Sequence, residues 1–362
     1  MYLFMTLCLA AVGVWGDNQF EQAWVNAEAT NLVAVAAGSW HNLGLHADGT
    51  VIGWGCNWDG QCEPPAGLRD AVAIGAGGYH SLAIRAGGQV VAWGANDSGQ
   101  CAVPAGLENV VAVAAGAWHS LALRADGTVV AWGDNSRGQT NVPLGLTGVT
   151  AIAAGGNHCL ALRTNGEVVA WGDNLDEAGS FTGQSLVPWG LTAVVGIAAG
   201  DAHSLAVRAD GSVAAWGANA GGQCVVPSGL TSAVAIAAGG QHSLALTADG
   251  GVAAWGAAWN GQCALPAGLS NVIAVAGGKY HTVVLVADAV PLPRLLRPSW
   301  NDGHFSSIVQ TLLRHRYGLE FKHRLDDPHW TPLPPLEGNG ALRILADPGA
   351  SEPVRFYRLR AW

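Results

Sequence analysis

Val110 to Gly148 reads VVAVAAGAWHSLALRADGTVVAWGDNSRGQTNVPLGLTG, and these 39 residues decide the fold because nearly everything from residue 12 to residue 288 repeats them. Two markers keep the period. Trp-Gly recurs at Trp15, Trp54, Trp93, Trp132, Trp171, Trp216 and Trp255, in steps of 39 residues with one step of 45. Gly-x-x-His recurs out of phase with it, at His41, His80, His119, His158, His203, His242 and His281.

Inside the unit, apolar residues alternate or run in short blocks between turn residues, which is the pattern of strands and not of helices. Val110–Gly116 predicts a first strand, His119–Arg124 a second and Thr128–Trp132 a third, with Asp126-Gly127 as a two-residue hairpin turn. A fourth short strand is expected after Gln139, ending near Pro143. A four-stranded unit of about forty residues cannot bury both faces alone and must stack on its neighbours in a ring, as the blades of a β-propeller do.

The ends of the array bear on whether such a ring closes. The last unit, Val272–Asp288, stops after its second strand, while the chain begins with an orphan Trp-Gly half, Val12–Asn31. Joined in one sheet, the halves make a complete blade and remove the exposed edges. The expected fold is therefore all-β: a seven-bladed propeller over residues 12–288, closed by N- and C-terminal strands, then a Pro-rich linker over 289–300 and a small β-sandwich-like module over 301–362.

Half of the residues are hydrophobic, 12% are charged and 51 are glycine, which suits a strand-rich protein with many tight turns. The formal net charge is −9, but unevenly placed: residues 1–288 hold 7 basic and 19 acidic side chains, residues 289–362 hold 10 and 7. An acidic propeller disfavours nucleic acid, which demands Lys and Arg against phosphate.

Met1–Gly16 is uncharged and mostly apolar, and two readings stay open. It is a short signal peptide with a small-residue cleavage site near Ala10-Ala11, although no basic segment leads it, or Leu7–Trp15 belongs to the closing blade. Residues 1–11 are thus a signal remnant or strand, and at 16 residues the stretch is short for a membrane span. Near the other end, Tyr317–Lys322, His329–Leu333 and Val354–Arg360 alternate like strands, and the tail resembles a fibronectin-III-like module.

Gly-x-x-His-Ser-Leu-Ala-Leu followed by Asp-Gly-x-Val-x-x-Trp-Gly-x-Asn-x-x-Gly-Gln resembles the regulator-of-chromosome-condensation repeat. The short period and the Val-Pro-x-Gly-Leu linkers, as at Val142-Pro143 and Val226-Pro227, are most similar to the bacterial branch, which includes a secreted propeller inhibitor of β-lactamases. The resemblance covers residues 12–288 and implies a seven-bladed propeller with no catalytic chemistry of its own.

Residue types that carry chemistry elsewhere here follow the repeat. Imidazoles ligate metals and act as bases, but seven histidines at one repeat position form a ring and not a cluster, and are expected to lock blades together by hydrogen bonds. The Trp-Gly tryptophans are expected to pack between blades. Cys62, Cys101, Cys224 and Cys263 each follow Gly-Gln where other repeats have Thr140 and Ser185, so that position asks for a small side chain; the odd total of seven cysteines argues against a disulfide framework and leaves Cys56 and Cys62 open as a local pair. No catalytic triad, phosphate loop or metal motif rises above the repeat; no catalytic residue, metal or cofactor is expected.

The variable positions say more. Strand order puts the Gly-x-x-His loops and the Trp-Gly-x-Asn-x-x-Gly-Gln loops on one face, where the x slots hold Phe20, Trp40, Trp58, Tyr79, Trp118, Trp259 and Tyr280, while blades four and five hold Asn157, Ala202, Ala220 and Gly221. The six-residue insertion within Asp173–Gln184 adds Leu175, Asp176, Glu177 and Phe181 to that face. Large surface aromatics make binding hot spots; the alternative is that they pack on one another and cap the loops. The expected function is non-enzymatic binding of another protein, with inhibition as one form of it. Carbohydrate binding is the alternative, guanine-nucleotide exchange ranks lower, and a monomer that is secreted or at the cell surface is expected, with the cytoplasm also open.

Overall fold

The computed structural model describes residues 10–287, 295–301, 304–310, 316–322, 329–337, 342–347 and 356–361, in two compact units that divide between Ala289 and Val290. Residues 1–9, which include part of the Leu7–Trp15 stretch, lie outside the described residues.

In the first unit the described residues form seven three-stranded antiparallel sheets. In the repeat quoted above the strands are Val110–Ala115, His119–Arg124 and Val129–Gly133, with the second strand in the middle. One sheet joins sequence-distant strands: Ala10–Gly16 pairs with His281–Ala287 in antiparallel register from Ala10 opposite Ala287 to Gly16 opposite His281, and Val272–Gly277 lies on the other side.

Two local expectations are corrected. The hairpin loop after the middle strand has three residues, Ala125–Gly127, because Arg124 N donates to Thr128 O and Gly127 N to Arg124 O. A two-residue primed turn needs positive φ at its first central residue, and type I′ at both; here Gly127 has φ 81° and Asp126 does not share it, while the Asp126 carboxylate takes the Thr128 N–H at 2.9 Å. The fourth strand is not formed. Thr140–Pro143 leads from one turn into the next, since Gly138 and Gly145 have φ of 76° and 77° and Pro143 has no N–H to give to a ladder.

Period-two alternation explains the core. In the middle strand His119, Leu121 and Leu123 face one way, and Ser120 and Ala122 the other, all buried. Leu121 and Leu123 pack with Val149 and against Cys159, Ala161 and Trp171 of the next sheet; Leu160 and Leu162 in turn meet Ala206 and Trp216. Large side chains from one sheet thus meet small ones from its successor, and the tryptophan covers the joint. The sheets contact each other in chain order, and both Ala10–Gly16 and His281–Ala287 also contact Leu32–Ala37.

In the second unit Leu295–Asn301, His304–Gln310 and Leu342–Asp347 form one sheet, and Arg316–Lys322 pairs with Thr331–Pro332, Leu336–Glu337 and Phe356–Ala361 in another. The strand Leu295–Asn301 begins inside the stretch that its prolines mark as linker. Pro298 is accommodated because the register shifts between Leu296 and Ser299, leaving it out of the ladder.

Candidate functional site

Each Gly-x-x-His loop begins with a glycine that cannot be replaced: a Cβ on Gly116 would stand 2.1 Å from His119 Cε1. The imidazole folds back under the loop and reaches the next sheet. His41 Nε2 lies 3.0 Å from Ser81 Oγ, His80 2.9 Å from Ser120, His119 3.1 Å from Cys159 Sγ, His158 2.9 Å from Ser204, His203 3.0 Å from Ser243 and His242 3.0 Å from Thr282. His281 Nε2 lies 2.8 Å from Asn42 Oδ1.

Proton bookkeeping fixes the tautomer. Ser120 Oγ donates its proton to Gln100 O at 2.9 Å, so it accepts from His80 Nε2–H; Trp132 Nε1 donates to the same carbonyl at 2.9 Å. Asn42 makes the same relay with an amide, its Nδ2 donating to Gln22 O at 2.8 Å. All seven Nδ1 atoms are buried without a partner. Burial is the main cause that holds the histidines neutral, lowering His41, His80, His158, His203 and His281 to about 3 and His119 and His242 to about 4, and neighbouring imidazoles add to the effect in the first five. As expected from the sequence, these histidines lock sheets together.

The thiols are hydrogen-bond donors. Cys62, Cys101, Cys224 and Cys263 Sγ donate to the carbonyls of Cys56, Ala95, Ala218 and Ala257 at 3.1–3.3 Å, as Ser185 Oγ does to Asp173 O at 2.7 Å. Burial pushes Cys62 up to about 12 and Cys101, Cys224 and Cys263 up to about 11, so none is a ready nucleophile. Cys56 and Cys62 are both free thiols, which corrects the local disulfide: Cys62 Sγ points at the Cys56 carbonyl oxygen, 3.2 Å away, and not at its sulfur.

On the loop face the Ala-Gly-x ends of six first strands, Ala37–Ser39 among them, and Gly277–Lys279 of the seventh line a cavity of about 170 Å³. Beside it lies a second pocket of about 270 Å³. Its lining includes Trp40, Tyr79 and Trp118 as well as Leu175, Asp176, Glu177, Asp201 and Lys279. Tyr79 and Trp118 stack with centroids 5.3 Å apart. Phe20 meets Trp40 and Trp58 edge to face at 5.3 and 4.8 Å, and Trp40 meets Tyr280 at 5.2 Å.

Thus six of the seven expected aromatics form two touching groups, one of Tyr280, Trp40, Phe20 and Trp58 and the other of Tyr79 and Trp118. They pack on one another and still face solvent in part: Trp58 is 70% exposed and Trp259, the seventh, 73%. The blade-four insertion does reach the pocket, where Glu177 bonds Lys279 Nζ at 2.7 Å, while Phe181 stays 70% exposed.

Sequence reasoning misses Asp201 and Lys279, which face each other with Nζ 3.7 Å from Oδ2. A signal exists: the first x of Gly-x-x-His is Ser39, Gly78, Ala117, Gly156 or Gly240 in five repeats and charged only in these two. Burial raises the Asp201 carboxyl above its usual range, which Lys279 offsets in part. At Lys279 burial alone would lower the ammonium, but Asp201 and Glu177 raise it above the usual lysine value.

Comparison with known proteins places this geometry. The family model described as regulator of chromosome condensation (RCC1) repeat matches residues 32–61, 71–100, 110–139, 149–176, 194–223 and 233–262. Among solved structures, Prp20p of Saccharomyces cerevisiae aligns with TM-score 0.65 at 21% identity over 80% of this chain and 94% of its own. Human WBSCR16 aligns with TM-score 0.60 at 20% identity over 76% and 98%, and the ectodomain of the Physcomitrella patens receptor kinase CR4 with TM-score 0.53 at 23% identity over 73% and 77%. A search among curated proteins finds no match. At these identities the structures speak for the fold alone. The chain is a repeat protein of the RCC1 type, a β-propeller built of RCC1 repeats.

Proposed function

We propose that the chain is a non-enzymatic binding propeller that recognises another protein through its aromatic loop face. We further propose that its seven sheets close into a seven-bladed ring with Ala10–Gly16 in the last blade; the pairing with His281–Ala287 and the His281–Asn42 bond support this. The observation that carries the functional reading is the loop-face pocket whose lining includes Trp40, Tyr79 and Trp118 together with Glu177 and Asp201. Aromatic anchors beside fixed charges are what protein hot spots consist of. RCC1-type relatives are consistent with it: the yeast Prp20p structures are described with binding to Gsp1p and histones and with Kap60 bound. In this reading the chain works outside the cell or at its surface, and the neutral, buried imidazoles and thiols serve structure and not catalysis.

The test is to offer the purified chain and its Trp118→Ala variant to arrays of purified proteins and of glycans. A protein bound by the parent and lost in the variant supports the reading. Glycan binding that depends on Trp118 would replace it with carbohydrate recognition.

A further inference from the structure

The pocket carries an imbalance that names the chemistry of its occupant. Three carboxylates line it, Asp176, Glu177 and Asp201, against one ammonium, Lys279. The same pocket is lined by Trp40, Tyr79 and Trp118, and ring faces carry negative potential that attracts cations. The chain's own cation already lies in this field: Lys279 Nζ is 2.7 Å from Glu177, 3.7 Å from Asp201 and 5.8 Å from the Tyr280 ring centroid. The backbone leaves room for the charges. A Cβ on Gly240 would stand 2.9 Å from Asp201 Oδ2 and 3.0 Å from Lys279 Cγ.

Resting on the protein-binding reading, we propose that this pocket takes the guanidinium of an arginine side chain presented by the partner. A guanidinium is planar and weakly hydrated, stacks on aromatic faces and forks onto carboxylates, whereas an ammonium is a compact, strongly hydrated point charge. The stacked Tyr79–Trp118 pair supplies the flat surface and Glu177 with Asp201 the acceptors. Lys279 holds the acids in the meantime. Its bond to Glu177 is exchangeable, because Glu177 is 69% exposed and exposed ion pairs are weak.

The experiment titrates the full chain, labelled with ¹⁵N at tryptophan, with acetyl-Gly-Arg-Gly-amide and with its citrulline counterpart, which keeps the shape and removes the charge. The arginine peptide should shift the indole signals of Trp40 and Trp118, each assigned by its Trp→Phe variant, and the citrulline peptide should not at the same concentration. Asp201→Asn should weaken arginine binding about tenfold or more, and Lys279→Met should tighten it several-fold by removing the internal competitor. If Asp201→Asn melts early, the exposed Glu177→Gln serves in its place. Equal binding of the citrulline peptide, weaker binding after Lys279→Met, or indifference to both carboxylate changes would overturn the inference. Failure of the arginine peptide overturns it too, even where Trp118→Ala abolishes binding of a protein from the array, a result that leaves the protein-binding reading standing.

Discussion

His281 Nε2 lies 2.8 Å from Asn42 Oδ1 across 239 positions of sequence. Six repeats place Ser, Cys or Thr at the position of Asn42, and only here does an amide do that work. The oxygen accepts from His281 and the nitrogen donates to Gln22 O, so one side chain satisfies two buried backbone and ring groups. Asn42→Ala strands a buried imidazole N–H and leaves the Gln22 carbonyl with Trp54 alone. Urea denaturation should show a loss of about 1–3 kcal/mol, the cost of buried groups left unpaired. A loss within error would mean that this bond does not hold the seam.

Acid should unfold the protein cooperatively. The seven buried histidines have folded values lowered to about 3 or 4, so between those values and the ordinary 6.5 the unfolded chain takes up protons that the folded chain refuses. Their contribution is whole above pH 6.5 and falls as pH drops toward 4, with a slope of about 1.4 kcal/mol per pH unit for each histidine once its unfolded form is charged. Denaturant midpoints measured from pH 7.5 to 4.5 should decline ever more steeply. A flat profile over that range would contradict buried neutral imidazoles.

The terminal strand should be indispensable. Ala10–Gly16 pairs along the whole of His281–Ala287, and Trp15 Nε1 donates to Gln262 O at 3.0 Å. Deleting residues 1–16 exposes a long strand edge and removes a covering tryptophan. Thermal melting should fall far more than for a trimmed tail, with aggregation on heating. An unchanged melting curve would remove the proposed ring closure.

The blade-four loop should be dispensable for folding. In the shorter loop Asp134–Gln139, Gln139 Nε2 donates to Asp134 Oδ2 at 2.7 Å; in the long one the equivalent Gln184 bonds the Leu175 carbonyl at 2.8 Å. Cutting Asp173–Gln184 to the shorter length restores a known local solution. Melting should change by only a few degrees, while any ligand that uses Glu177 should bind less well. Collapse of the fold would make the loop structural.

The period makes most of the fold legible, because Trp-Gly and Gly-x-x-His are needed by the joint between sheets and so recur with it: the middle strand His119–Arg124 matches its expected span. The fourth strand fails because apolar Val142 and Leu146 are set among two glycine turns and a proline, and local backbone chemistry outweighs apolar pattern. The aromatic slots are legible as variation against the repeat. Asp201 and Lys279 are not equally so, since each is one charge at one slot and their pairing depends on the fold bringing together residues 78 positions apart.

The face itself is tested by comparing equivalent slots. Against a protein recovered from the array, Tyr79→Ala and Trp118→Ala should each weaken binding by roughly 2 kcal/mol, about thirtyfold, while Asn157→Ala and Gln241→Ala change it less than about threefold. All four variants should melt within a few degrees of the parent. Calorimetric titration of the four gives the answer: a wide gap between the aromatic and polar slots is the expected result, and binding that tolerates both Tyr79→Ala and Trp118→Ala would contradict the assignment of function to this face.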